Sequence, residues 1–436
     1  VAHAGNQDSA FLGNVAATTG GAVTAVIRDG EAAWYNPAGL GGTGQQSIDA
    51  SASAFMLRIR NIPRLTETEL LDGSRLPVNI DSTEIFSIPS ALTYTRALSD
   101  SMWFAVSVFV PAQDQLSMRH TAQRKTANAA GTEVDYRQHV ALEAKESAYF
   151  AGPSLSGAVS PDVRIGGSLF IVYGSVDTSL EVWSELRGST DREFVAFGQI
   201  DTNSEASFVG AQGVFGIQAN VGEGFQLGCT LRTPVLSFVE WGETVALAQE
   251  SFSGTAELPA STAVEFDETD DSAGTFELAV PARLHLGAAW QGAHTWVGLE
   301  LDVTHPLSDD PFFERWIVNG RLGGRTKLTE SLTLGLGVFT DLSGSADPKE
   351  EGADKIDYFG GTVGLELRKP FALGGENDGR DLIFSSTFAL RYAAGVGSIV
   401  GSISRPFDDT GAASETRSID LLFHEVALHI GSAVYF

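Results

Sequence analysis

The chain has one cysteine in 436 residues, Cys229, so no intrachain disulfide can form and the fold must hold by packing and hydrogen bonds alone. Basic residues are scarce: 28 Lys and Arg stand against 55 Asp and Glu, a formal net charge of −27. Such a surface repels a polyanion and argues against a nucleic-acid partner. No run of 18 or more apolar residues occurs, which excludes a hydrophobic transmembrane helix. It does not exclude a transmembrane barrel, whose strands carry only alternation. Metal-ligand spacing is missing, and so is a phosphate loop, since Gly20-Gly21 and Gly41-Gly42 lack the strand-to-helix setting that one needs. No cofactor or metal is therefore expected. His285 and His429 have no evident Ser-His-Asp or Asp-His company, which argues against an enzyme.

What the chain has is glycine, 48 residues, and period-2 alternation from Ser47 to the end. Breakers of two kinds separate the alternating segments. Mostly tight ones fall at 98–101, 160–162, 222–224, 291–294, 329–331 and 370–379. Longer polar ones fall at roughly 59–84, 113–134, 186–194, 243–274, 306–314, 342–355 and 402–416. The two kinds alternate strictly, as the short turns and long outer loops of an up-and-down membrane barrel do. The expectation is an all-β fold: a 14-stranded antiparallel transmembrane β-barrel. Segments 194–220 and 225–242 read as long strands that rise above the outer leaflet.

Single strands show which face meets lipid. Leu332, Leu334, Leu336 and Val338 alternate with Thr333, Gly335, Gly337 and Phe339; Val297, Leu299 and Leu301 alternate with Gly298, Glu300 and Asp302. The apolar set faces hydrocarbon and the small or charged set the lumen. Trp103, Trp290, Trp296 and Tyr435 lie near the tight turns; Trp290 most clearly fits an interfacial girdle. The last strand alternates into a C-terminal Phe436.

Before the strands comes Gly20 to Gly42, GGAVTAVIRDGEAAWYNPAGLGG, too rich in glycine and alanine for an ordinary strand. At its heart Asn36-Pro37-Ala38-Gly39-Leu40 reads as a turn, because an Asn side chain bonds the backbone that follows and proline fixes φ. Residues 1–44 are expected to form an N-terminal plug, or hatch, and residues 45–436 the barrel that wraps it. Ala2-His3-Ala4 has the small-x-small form of a signal-cleavage site.

This plug, the strand count and the terminal Phe together resemble the FadL family of outer-membrane transporters for long-chain fatty acids and other hydrophobic compounds. The family's Asn-Pro-Ala motif is matched by Asn36, Pro37 and Ala38, with Asp29-x-x-Ala32 upstream; Ile88-Pro89-Ser90 through Tyr94 and Val108-Phe109-Val110-Pro111 also match. The resemblance implies a monomeric barrel in the bacterial outer membrane, among lipids and lipopolysaccharide. It would take up a fatty-acid-like hydrophobic molecule, release it by a shift of the plug, and let it leave sideways through a gap at strand 3. Asn36, Pro37, Ala38, Gly39 and Asp29 would gate, and Phe109, Val110 and Pro111 would mark the gap, since proline lacks a ladder donor. Some FadL-like barrels instead bind a protein partner within a cell-surface secretion machine or other envelope complex, and that alternative stays open. A water-filled porin is disfavoured by the plug.

The lumen can be read without the resemblance. Around turn 291–294, paired positions sum to about 585, which sets His285 opposite Glu300 and Arg283 opposite Asp302 on the inner face. Arg321 and Arg325 join them, giving a charged cluster that meets either a substrate carboxylate or the plug's Asp29 and Glu31. Outside, the stretch between Arg232 and Arg283 has ten carboxylates and no Lys or Arg, including Asp267, Glu268, Asp270 and Asp271. It is expected to be a solvated acidic loop; a divalent-cation site is the alternative. Leu70 and Leu71 in the first loop are expected to offer a hydrophobic capture surface.

Overall fold

The structure, a computed structural model, describes residues 11–70, 72–127, 133–188, 194–252, 261–269, 280–307, 313–348, 354–372, 381–404 and 415–436. Ala2–Ala4, Leu71, Asp270 and Asp271 lie outside these residues. The chain begins with two short helices, α1 (Asn14–Thr18) and α2 (Ala32–Tyr35), and a 3₁₀ turn at Pro37–Gly39. Strands follow to the end: β1 (Ser47–Glu69), β2 (Arg75–Ala97), β3 (Met102–Ala127), β4 (Glu133–Ala158), β5 (Val163–Gly188), β6 (Phe194–Gly222), β7 (Phe225–Arg232), β8 (Leu236–Phe252), β9 (Ser261–Thr269), β10 (Arg283–Gln291), β11 (Thr295–Thr304), β12 (Ile317–Lys327), β13 (Leu332–Asp341), β14 (Asp354–Ala372), β15 (Asp381–Ser404) and β16 (Glu415–Tyr435).

The sheet closes on itself. Pairing runs β5-β4-β3-β2-β1-β16-β15-β14-β13-β12-β11-β10-β7-β6, and β6 pairs back to β5 over Val163↔Ala219 to Arg187↔Phe194. Closure removes the open edges that would otherwise recruit other strands. The fold is thus an all-β closed barrel, as the alternation indicates. β7 and β8 both pair with β6, end to end, separated by Thr233-Pro234-Val235; β9 pairs with β8 outside the ring. The expected long strand 225–242 is therefore broken at Pro234, which has no N–H for the ladder.

The expected long loops are largely strand. β1 and β2 pair out to Glu69↔Arg75, β3 and β4 to Ala127↔Glu133, and β4 and β5 to Val134↔Gly188. In these outer halves the outward face turns polar while residues such as Leu116, Met118, Val134, Tyr136 and Leu142 are buried inward, so the apolar-outward pattern of the belt ends although the backbone pairs fully. Height around the ring is uneven: β3 to β6 are long, while β10 to β13 stop after about ten residues.

Outward residues form an apolar belt. On β5, Ile165, Leu169, Ile171 and Tyr173 are exposed; Asp177, further up the same face, begins a polar stretch. Tyr173 lies 6.2 Å from Tyr149 and 6.4 Å from Trp241 between ring centroids, an aromatic rim on that edge. Phe225, Trp290 and Phe436 are exposed at the opposite edge. Val297, Leu299, Leu301, Leu336 and Val338 point outward as expected, whereas Trp103 and Tyr435 turn inward and are buried.

The tip of the β1–β2 hairpin bends away from its neighbours. Its register slips between Ile62 and Thr66, and Arg64 takes φ 55°, a strained value for a side chain with a Cβ. Thr66–Thr68 then pair in parallel with Ser402–Ser404 of β15. Leu70 is buried against Val134 and Tyr136 of β4 and Leu186 of β5. The tip so bridges the outer ends of opposite walls. The expected capture role of Leu70 as an exposed greasy residue is corrected: it is a buried anchor of this bridge.

Candidate functional site

Residues 11–44 are the structural centre. They are mostly buried and pack on inward side chains of strands all round the ring. Their backbone does not form sheet, so its polar groups must bond elsewhere. The inner wall supplies the partners. Ser156 Oγ donates to Ala38 O at 3.0 Å, Ser168 Oγ to Ala33 O at 2.8 Å, Arg164 to Leu40 O at 2.6 Å and Arg232 to Trp34 O at 2.6 Å. Gln218 Nε2 donates to both Thr24 O and Ile27 O. None of these wall residues stands out in the sequence. Their one signal is parity, since each falls on the inward set of its strand.

Asn36 is the hub inside the segment. Its Nδ2 donates to Thr24 O at 2.8 Å and to Ile217 O on β6 at 3.0 Å, and its Oδ1 accepts Ala38 N at 3.2 Å. Pro37 opens the 3₁₀ turn, where its missing N–H costs nothing. A Cβ on Gly166 would strike the Pro37 carbonyl, and one on Gly216 the Asn36 amide. The wall is thus hollowed by missing side chains where this turn rests.

The charged residues divide into separate groups. Glu300 Oε2 accepts Val23 N at 3.0 Å and Thr24 N at 2.9 Å; its Oε1 takes Arg321 at 2.8 Å and His285 Nδ1 at 3.2 Å. Asp302 is held by Arg321 at 3.1 Å and by Arg283. The register between β10 and β11 sums to 587, not 585, so His285 sits opposite Asp302 and Arg283 opposite Thr304. The faces are unchanged, and the side chains still meet diagonally. Arg325 belongs elsewhere, with Glu366, which also accepts from Arg368 at 2.7 Å and Ser385 Oγ at 2.6 Å. A third group, not anticipated, joins Arg58 and Arg391 to Glu425 at 2.7 and 3.1 Å, all buried. His429 lies against the segment, 3.4 Å from Asn14 Oδ1.

The segment's own acids are Asp29 and Glu31. Glu31 accepts the backbone N–H groups of Asn14 and Val15 at the start of α1, and Asp29 accepts Glu31 N at 3.1 Å. Burial pushes the Asp29 carboxyl up to about 6, opposed by the Glu31 N–H and by Arg368 and Arg325 nearby. Burial, and the Asp29 charge beside it, also raise Glu31 well above the carboxylate range. Asp49 of β1, Glu366 and Tyr435 complete the ionisable surroundings.

On the other side, Trp34 of α2 meets Phe109 at 5.2 Å, Phe150 at 5.2 Å and Phe170 at 6.0 Å between centroids. Phe109 is the last β3 residue paired with β2, opposite Ala91. Beyond it, among the described residues, β2 pairs only with β1 and β3 only with β4. A bulge at Val110-Pro111 shifts β3 against β4, and Val110 turns inward onto Met56 and Ala427. Above this point the inner wall is apolar: Leu116 and Met118 of β3, Leu142 and Ala148 of β4, Ile399 of β15 and Leu421 of β16 share one cluster with the segment.

Two outcomes test these contacts. Glu300→Ala removes the acceptor for two backbone N–H groups and takes the Glu300 carboxylate from the buried Arg321; a loss of about 3–5 kcal/mol is expected for breaking a buried pair from one side. Denaturant unfolding of the refolded barrel reads it, and an unchanged midpoint would remove Glu300 from the set of anchors. The second outcome concerns pH. Asp29 released from the wall titrates near 3.8, and docked near 6, so docking takes up protons between these values. Docking is then strongest at acidic pH and weakens as pH rises through about 6. A spin label on Val15→Cys, with Cys229→Ser, should show a larger mobile fraction at pH 8 than at pH 5, and Asp29→Asn should shrink the difference. Equal fractions at both pH values would contradict the linkage.

The arrangement has solved counterparts. A FadL homologue of Pseudomonas aeruginosa matches at TM-score 0.58 with 11% identity over 99% of both chains. The toluene transporter TodX of Pseudomonas putida matches at TM-score 0.54 with 14% identity over 97% of this chain and 98% of that one. The monoaromatic hydrocarbon channel CymD matches at TM-score 0.52 with 12% identity over 98% and 97%. No protein-family model matches the chain, and no curated protein matches it.

Proposed function

We propose that this chain, which shares the fold of the FadL-type barrels, is an outer-membrane channel for uptake of hydrophobic molecules, a fourteen-stave barrel in which β7 and β8 are halves of one stave. Residues 1–44 act as its plug and residues 45–436 as its wall. The apolar belt supports membrane insertion, since Ile165–Tyr173 matches the roughly 10 residues a tilted strand needs to cross. The observation that carries the reading is the break in the β2–β3 ladder at Ala91↔Phe109, beside a segment that fills the ring. A filled ring is poorly suited to water-borne solutes. A wall parted at Pro111, with exposed Ile85 on its flank, offers a hydrophobic molecule a lateral exit into the outer leaflet. Binding at the plug's upper face would shift Asn36–Gly39 and free the route. The names of the solved counterparts, a FadL homologue, a toluene transporter and a monoaromatic hydrocarbon channel, support a hydrophobic substrate.

Native mass spectrometry of the barrel, extracted gently from its own membrane, tests the substrate class. A releasable hydrophobic molecule on a monomer supports uptake. An empty barrel in stoichiometric complex with another protein moves the reading to a partner-binding barrel. The gate has its own test. Asn36→Ala loses the bonds to Thr24 O, Ile217 O and Ala38 N, about 1 kcal/mol each. It should leave the barrel intact and raise conductance to small ions in planar bilayers at least severalfold. Conductance equal to the parent protein's would count against Asn36 as the plug's fastener.

A further inference from the structure

Trp34 is placed differently from the other apolar residues of α2. Ala32, Ala33 and Tyr35 are buried, while the indole is only partly covered and packs against the cluster that includes the apolar upper wall. Behind it stand Phe109, Phe150 and Phe170, each buried. Phe109 and Phe170 meet edge to face at 5.8 Å, and Phe150 and Phe170 at 6.3 Å, so the three form a walled recess of their own. The guanidinium of Arg232 covers the indole face at 3.9 Å from the ring centroid. Arg232 is held from behind by Gln212 Oε1 at 3.1 Å, and it also donates to Trp34 O. The recess thus offers aromatic edges and faces together with a fixed cation, the surroundings that favour a flat π system over a saturated ring of equal size. The chain itself supplies that π system.

We propose that the recess lined by Phe109, Phe150, Phe170 and Arg232 is a binding site for a planar aromatic ring, occupied in this conformation by the indole of Trp34, which an incoming aromatic molecule displaces. This deepens the uptake reading and rests on it. Two consequences of position follow. Trp34 lies two residues before Asn36, so its displacement pulls on the Asn36-Pro37-Ala38 turn. Phe109 ends the β2–β3 ladder, so a ligand seated in the recess is already at the start of the gap. Binding, plug movement and exit then share one side chain, and the ligand is coupled to plug release in both directions.

The test is equilibrium binding of radiolabelled naphthalene and of decalin, its saturated counterpart, to the full chain in nanodiscs, with empty nanodiscs as baseline. Trp34→Ala vacates the recess and should bind naphthalene about tenfold tighter than the parent protein, while Trp34→Phe stays within a few fold of it. Phe170→Leu keeps apolar volume but removes a ring; it should weaken naphthalene severalfold and leave decalin unchanged. It removes none of the hydrogen bonds that hold the plug's backbone, so it remains informative should Trp34→Ala loosen the plug. Decalin binding as tightly as naphthalene, with no gain in Trp34→Ala and no loss in Phe170→Leu, overturns the site while leaving hydrophobic uptake standing. Absence of binding by either compound to any variant overturns the uptake reading together with the site.

Discussion

The constraint on which the structure depends is that a stretch of irregular backbone, residues 11–44, lies buried where water cannot satisfy it. A buried N–H or carbonyl without a partner costs about 1–3 kcal/mol, and this segment carries dozens of such groups. The wall is built to answer them. Inward Ser, Gln and Arg residues donate to segment carbonyls, and Glu300 accepts from two consecutive N–H groups. Each contact is modest alone. Because they come from many strands, the segment can rest in one orientation only.

Shape follows the same constraint. Backbone can approach backbone only where a Cβ is missing. The wall presents glycine where the segment passes: a Cβ on Gly337 would meet Thr19, on Gly228 the Thr24 carbonyl, and on Gly166 the Pro37 carbonyl. Glycine weakens a strand by its entropy, so its recurrence on one face needs a cause. The cause here is the lodged segment. The Leu-Gly alternation of β13 therefore encodes two surfaces, leucines outward to an apolar exterior and glycines inward to the segment.

Legibility in the sequence divides along physical lines. The belt was readable because an apolar exterior on one side imposes a period, as at Leu299 against Glu300. The inward face of Arg283, His285, Glu300, Asp302 and Arg321 was readable for the same reason, although the register was off by two, because a shift of two leaves faces alone. What could not be read was depth along the strand. The outer ladders of β1 to β5 are polar on their outward face, lack the apolar-outward alternation of the belt and so look like loops. Leu70 looked like an exposed loop residue because nothing local shows that the hairpin tip folds back onto β4 and β5. Trp34 was hidden by its surroundings: a lone Trp among alanines carries no period, and its ring partners come from three strands far away in sequence.

The breaks in pairing complete the argument. A closed barrel gains most by pairing every strand along its whole length, so a ladder that stops early needs local compensation. At β2–β3 the compensation is visible above the break, where Glu84 accepts Ser117 N at 3.0 Å and Arg124 donates to Arg75 O at 3.0 Å. There, side-chain to backbone bonds stand where a backbone ladder would run. Val110 turned onto Met56 and Ala427 shows where the diverted strand goes, into the lumen, where Phe109 meets Trp34. The interrupted β2–β3 seam and the least covered aromatic of the buried segment thus meet at one contact. In the uptake reading, a load on the segment reaches that seam through the contact of Trp34 with Phe109, the residue at which the β2–β3 ladder ends.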